Sequence, residues 1–237
     1  MTDTTAADDT DSTTSETDPA TAGTTETAGS TGEEADCDDF LGSIIYVNID
    51  GATLTKGLAD NAPSDITVNE THLGTWGPYS NADIDQVMAV VREHWAPYDV
   101  CLTTKRPTAL DYSMLVFQSA THNNDPNFPG TSAPPDCSNE EGNNVEVAIA
   151  SDEANLPVTS KAIIVSKFIA RGFFGLESVA DANADLMNTP IANTLNGATF
   201  TDVCHDKFAA STCATGPTCA VDQQKAHSYL LDVIGPA

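Results

Sequence analysis

The chain is short of positive charge. Its 237 residues carry 9 Lys and Arg against 35 Asp and Glu, a formal net charge of −26. Such a balance repels phosphate backbones and anionic lipid heads, which excludes charge-driven binding to nucleic acid or to a membrane surface. No stretch approaches the roughly 18–20 apolar residues that a membrane helix needs, so no transmembrane segment is expected. No two cysteines have the C-x-x-C spacing of a zinc knuckle or a thioredoxin-type site. G-x-S-x-G, Gly-rich phosphate loops and internal repeats are missing as well.

What is there begins with an unusual N-terminus. Residues 1–36 hold twelve Thr, three Ser, six Ala, three Gly and ten acids, with no Lys, Arg or aromatic residue. Such a segment cannot bury enough apolar surface to offset the entropy of ordering, so a disordered acidic stalk is expected there. Residues 37–237 then form a single globular domain. The stalk resembles the Thr/Ser/Asp/Glu-rich spacers that follow the lipid-bearing cysteine of bacterial surface lipoproteins. Met1-Thr2-Asp3-Thr4 has neither the basic start nor the apolar core of a signal peptide, so either the signal segment lies upstream of it, the reading we prefer, or the chain is cytosolic with six free thiols.

Six cysteines bear on the compartment: Cys37, Cys101, Cys137, Cys204, Cys213 and Cys219. The last three fall in a stretch rich in Gly, Pro, Thr and Ala that is too poor in large apolar residues to hold itself by packing. An even count, half of it in such a loop, predicts disulfides and an oxidising, extracellular or cell-surface location. At least one bridge is expected within the Cys204, Cys213 and Cys219 group, and the sequence does not choose the pairing.

Ile44 to Ile49 is β-branched and aromatic, ends at Asp50-Gly51 and reads as a strand. Residues 52–80, rich in Asn, Pro, Gly and Thr, read as an excursion with little regular structure. Ile84, Val87, Met88, Val91 and Trp95 share one helical face, capped by Asn81 or Asp83 and stopped by Pro97. Tyr98–Thr104 and Ser113–Ser119 read as strands, the second central, followed by a proline-rich loop over 123–142. In Asn144–Ala150, Val145, Val147 and Ile149 alternate with Glu146 and Ala148, which predicts a half-exposed edge strand. A second helix, Lys161–Phe174, capped by Thr159 or Ser160, is apolar nearly all round and therefore buried, with Gly175 ending it in a left-handed turn. A last short helix is expected over Gln223–Val233. The whole reads as α+β, a mixed twisted sheet packed on two main helices, with a C-terminal disulfide-rich loop.

Phe173-Phe174-Gly175-Leu176-Glu177-Ser178-Val179, followed by Asp185-Leu186-Met187-Asn188, resembles the active-site helix and Met-turn of the metzincin zinc metallopeptidases. The resemblance implies a zincin-like fold over roughly residues 45–235. In that family HExxHxxGxxH places two histidines on one helical face, a glycine breaks the helix so that a third closes on zinc, and the Glu is general base. Aligned on Gly175, the first His falls on Phe168, the Glu on Ile169, the second His on Gly172 and the third on Ser178. Met187 keeps the place of the Met-turn. The resemblance therefore implies a pseudoprotease: a non-catalytic binding or structural module with no metal and no cofactor. Its ligand would be a peptide or protein that adds to the edge strand Val145–Ala150. The competing expectation is an active zinc peptidase, or another hydrolase, whose site is not visible in the sequence.

Rebuilt sites find little support in the sequence. His72, His94, His122, His205 and His227 lack i, i+4 pairs and read as surface or loop residues. Cys204-His205-Asp206 looks metal-like, yet Cys204 reads better as half of a disulfide. Glu177, Asp181 and Asp185 lack the alternating acid pattern of a calcium loop.

Overall fold

A computed structural model describes residues 36–108, 111–118, 130–131, 142–149, 156–190, 194–208, 219–220 and 222–237. The expected stalk, apart from Asp36, lies outside them, as do Cys137, Cys213 and His122. The chain runs β1 (Ser43–Asn48), β2 (Ala52–Lys56), β3 (Ile66–Thr67), β4 (Gly74–Trp76), α1 (Ile84–Trp95), β5 (Val100–Thr103), β6 (Ser113–Gln118), β7 (Gly130–Thr131) and β8 (Val145–Ile149). Then follow α2 (Val158–Phe174), β9 (Val179–Ala180), β10 (Asn188–Thr189), β11 (His205–Asp206), β12 (Gln223–Gln224) and α3 (Ala226–Ile234).

The architecture is α+β. Five strands form the main sheet in the order β5-β1-β6-β8-β7, with β7 antiparallel to β8 and the other pairs parallel. Alternate side chains of each strand serve different layers. Ile45, Val47, Leu115, Phe117 and Ala148 pack with α1, α2 and α3, whereas Ile44, Tyr46, Met114, Val116, Val145 and Val147 pack against Leu54, Ala62 and Trp76. Both faces of the sheet are therefore covered, and β6, its central strand, is buried from end to end.

Three expectations need correction. The excursion over 52–80 is a small sheet in the order β3-β2-β4, which builds the second cover of the main sheet. Its strands of two to five residues are too short to print a pattern on the sequence. The strand over 145–149 is not the edge. Val147 pairs with Val116 on one side and Thr131 on the other, so β8 is an inner strand at that point. Its charged residue, Glu146, faces α2 rather than water and is 0% exposed. Finally, the helix caps are not side-chain caps. Asp83 precedes α1 without a capping bond; its carboxylate binds Lys161 Nζ at 2.6 Å and the Tyr79 hydroxyl at 2.8 Å. Pro157 occupies the start of α2, and Thr159, one residue inside, donates to Asn196 Oδ1.

Among the described residues two disulfides tie the periphery. Cys37–Cys101 fixes the segment before β1 to β5, and Cys204–Cys219 closes a loop inside the C-terminal cysteine group. Among the described residues there is no free cysteine. The bridges suit an oxidising, extracellular-type environment. Among the described residues no helix is long and apolar enough to cross a membrane.

Candidate functional site

The C-terminal half of α2 and the loops beyond it carry the expected site positions. Gly175 ends the helix at φ 71°. Its N–H reaches Arg171 O and the Leu176 N–H reaches Ala170 O, the paired bonds that satisfy the last carbonyls of a helix. A residue with a Cβ would be strained in that conformation, so the glycine is needed.

The turn that carries Met187 is organised by buried polar groups. Asp185, almost fully buried, accepts from Met187 N at 2.7 Å with one oxygen and from Thr201 N and the Thr201 hydroxyl with the other. Asn188 accepts from Ala182 N with its side-chain oxygen. The strand pair β9–β10 closes the loop, with Val179 N donating to Met187 O at 2.9 Å. Gln224 clamps the chain just before, its amide accepting from Glu177 N and donating to Glu177 O. These bonds hold Met187, itself fully buried, in one place.

Lys167 is the unexpected member of this group. It stands on α2 with 6% exposure, and its ammonium donates to Asn188 O at 2.6 Å. Burial, and the Arg171 guanidinium nearby, push its pKa down to about 8, with the Asp185 carboxylate opposing them. A lysine inside an apolar helix was the sequence signal for it, and Asp185 and Asn188 flanking Met187 were the signal for the turn.

The aligned positions do not form a metal centre. Phe168 is half-buried against the core, and Ile169 is fully buried among apolar neighbours. Gly172 is buried, and a Cβ placed on it would lie 2.5 Å from Glu146 Cδ and 2.6 Å from Oε1, with Cγ closer still. Non-bonded carbons sit at about 3.5–4.0 Å, so Glu146 of β8 fills the volume that a side chain at 172 would occupy. Ser178 is half-buried, and its carbonyl accepts from Phe208 N at 2.8 Å. Phe208 is 68% exposed.

The histidines are engaged elsewhere. His72 is fully buried, contrary to its reading as a surface residue, and its Nε2 contacts Asn69 Nδ2 at 3.1 Å. It lies under the small sheet, where the Trp76 indole donates to its carbonyl. His94 Nδ1 lies 2.8 Å from Ser166 Oγ between α1 and α2, and burial pushes its pKa down to about 4. His205 Nε2 meets Thr201 Oγ1, and His227 Nδ1 meets the Tyr98 hydroxyl. Cys204 is bonded to Cys219 and has no thiolate to offer. Glu177, Asp181 and Asp185 are not brought into one group, because Asp185 spends both oxygens on the turn. Among the described residues no three His, Cys, Asp or Glu side chains are placed to hold a metal ion.

Set beside known proteins, the chain matches no family model, no curated protein and no solved structure.

Proposed function

We propose that the chain is a non-catalytic, metzincin-like protein, secreted or held at a cell surface, that serves as a binding or structural module. The observation that carries this reading is the exchange at Gly172. The position aligned with the second zinc ligand has no side chain, and the Glu146 carboxylate arm fills the space beside it. Phe168 and Ile169 offer no lone pair to a metal, and Ser178 offers only a neutral hydroxyl. The helix break at Gly175 and the braced Met187 turn are the parts of a peptidase frame that would outlast its chemistry.

The zincin-like arrangement belongs to the same proposal, as does a lipid-bearing anchor upstream of the Thr-rich stalk. The two disulfides support the extracellular side of it. A peptide ligand would meet the sheet at β7, the outer strand among the described residues on that side, through main-chain hydrogen bonds.

Metal content tests the reading. Protein purified without added metal should hold far less than one zinc per chain and cleave no peptide. Chelators should leave its Tm unchanged, because no ion contributes to the native state. One equivalent of zinc together with chelator-sensitive cleavage would replace this reading with an active peptidase or another hydrolase.

A further inference from the structure

The loop that follows the Met187 turn carries the one Asn-Gly pair in the sequence, Asn196-Gly197. Ala198 N donates to Leu195 O at 3.1 Å, so the pair forms the two central residues of a tight turn. Both residues are exposed. Gly197 has φ 82°, and nothing lies within 4 Å of where a Cβ would stand. Glycine takes this conformation and its alternatives without strain, so the peptide plane between the two residues is free to turn over.

Three features of the turn bear on its chemistry. The Gly197 N–H makes no hydrogen bond among the described residues. Thr159, in the first turn of α2, donates its hydroxyl to Asn196 Oδ1 at 3.0 Å. That bond draws electron density from Cγ, and a helix N-terminus favours negative charge on the oxygen. The side-chain nitrogen of Asn196 is bound by none of the described residues, so nothing there holds it back from leaving.

We propose that Asn196 is a site of spontaneous modification, at which the side-chain amide is exchanged for a carboxylate through a cyclic imide with Gly197. Gly197 N gives its proton to solvent and bonds to Asn196 Cγ; the bond from Cγ to Nδ2 breaks, and ammonia leaves. Water then opens the five-membered ring. Breaking the new bond to Cγ gives aspartate at 196, and breaking the original peptide bond gives isoaspartate. One water is consumed, no other reactant is needed, and the chain gains one negative charge. The reacting atoms belong to adjacent residues, which is the advantage of an intramolecular attack. Aspartate at 196 would stand beside Thr159 at the start of α2, where negative charge is favourable. Isoaspartate lengthens the backbone by one carbon in a turn whose flanks are fastened to the Met187 loop, Leu195 N to Asn183 O and Thr199 N to Ala184 O. None of this depends on whether the chain is a lapsed peptidase.

Ageing of the full chain in water labelled with heavy oxygen, followed by digestion in ordinary water and mass spectrometry, tests the site. The peptide carrying Asn196 should gain one labelled oxygen, faster at mildly alkaline than at neutral pH because the attacking nitrogen must lose its proton. It should also contain isoaspartate, which an isoaspartyl methyltransferase detects. Gly197→Ala should slow the conversion about tenfold or more, because a Cβ shields the nitrogen and limits the rotation that brings it to Cγ. Asn196→Gln should leave the peptide unlabelled, since its longer side chain closes a ring less readily. Should Gly197→Ala not fold, the wild type and Asn196→Gln still decide. An intact amide at 196 in the folded protein, over a time in which the urea-unfolded chain converts completely, would overturn the proposal. So would aspartate without isoaspartate, labelling that persists in Asn196→Gln, or an undiminished rate in a folded Gly197→Ala protein.

Discussion

Gly172→Ala should destabilise the protein although alanine is the better helix former. In the interior of α2 the exchange by itself is worth about 1 kcal/mol in favour of alanine. Against this, the new methyl would sit 2.5 Å from Glu146 Cδ and 2.6 Å from Oε1, and Glu146 is 0% exposed, with no solvent to retreat into. Forcing atoms into a packed interior costs about 1–3 kcal/mol. The group that must yield is a charged carboxylate that is itself fully buried, which places the cost at the upper end of that range. The net loss is then about 1–2 kcal/mol, which in a domain of this size lowers Tm by roughly 2–8 °C.

The sign should reverse in an Glu146→Ala background. With the carboxylate arm removed, the methyl at 172 enters free space, and the helix preference of about 1 kcal/mol emerges as a gain. The two substitutions should therefore couple by about 2–3 kcal/mol in a double-mutant cycle. Urea unfolding of the four proteins at one pH, with the disulfides intact and m-values compared, measures this directly. Additive effects, or a Gly172→Ala protein more stable than wild type, would refute the idea that Glu146 occupies the volume beside Gly172. The same packing bears on zinc: Gly172→His would need still more of that space, so restoring the aligned ligand set should fail to bind metal unless Glu146 is shortened too.

Two further predictions concern charge. His94 is kept neutral in the fold, with its pKa down at about 4 against an ordinary 6.5, so between those values the unfolded chain takes up a proton that the native state refuses. Stability should fall as pH drops through that window, by roughly 2 kcal/mol once partial solvent exposure is allowed for, and His94→Gln should lose that part of the pH dependence of the urea midpoint; equal slopes for the two proteins would count against it. Lys167 has a folded pKa of about 8 against 10.5, so the unfolded chain holds the extra proton between those values and stability gains from Lys167 as pH rises through them. Lys167→Met should flatten that rise, and a wild-type-like profile would show that the amine is not buried as the structure has it.

The elements legible in the sequence are those that serve one layer or lie fully inside. The apolar face of α1 and the continuous run of β6 were visible because a pattern of 3.6 residues, or an unbroken apolar stretch, needs no knowledge of neighbours. The left-handed residue at Gly175 was legible for the same reason, since glycine after an apolar helix has a local cause. The small sheet β3-β2-β4 was not, because its register is set by the main sheet beneath it rather than by its own short strands. Asp185 illustrates the limit most clearly. In the sequence it is one acid of a loop with a calcium-like composition, and only the fold shows its oxygens bound to Met187 and Thr201, sixteen residues apart from the latter.

Glu146 and Gly172 explain why the alternation of β8 misled. An acid between two valines marks a solvent face only if the sheet has one, and this sheet is covered on both sides. A glutamate can point at a helix where the helix offers a gap, and the gap here is a glycine 26 residues later in the chain. Each residue is locally unfavourable: glycine weakens a helix interior, and a buried carboxylate must be kept in polar contact. Together they are complementary in volume. On the proposed alignment, position 172 would therefore differ from a zinc-ligand position in more than a missing side chain. The space is occupied from a second element, so building metal binding there would require changes at both Gly172 and Glu146, and neither is favourable alone.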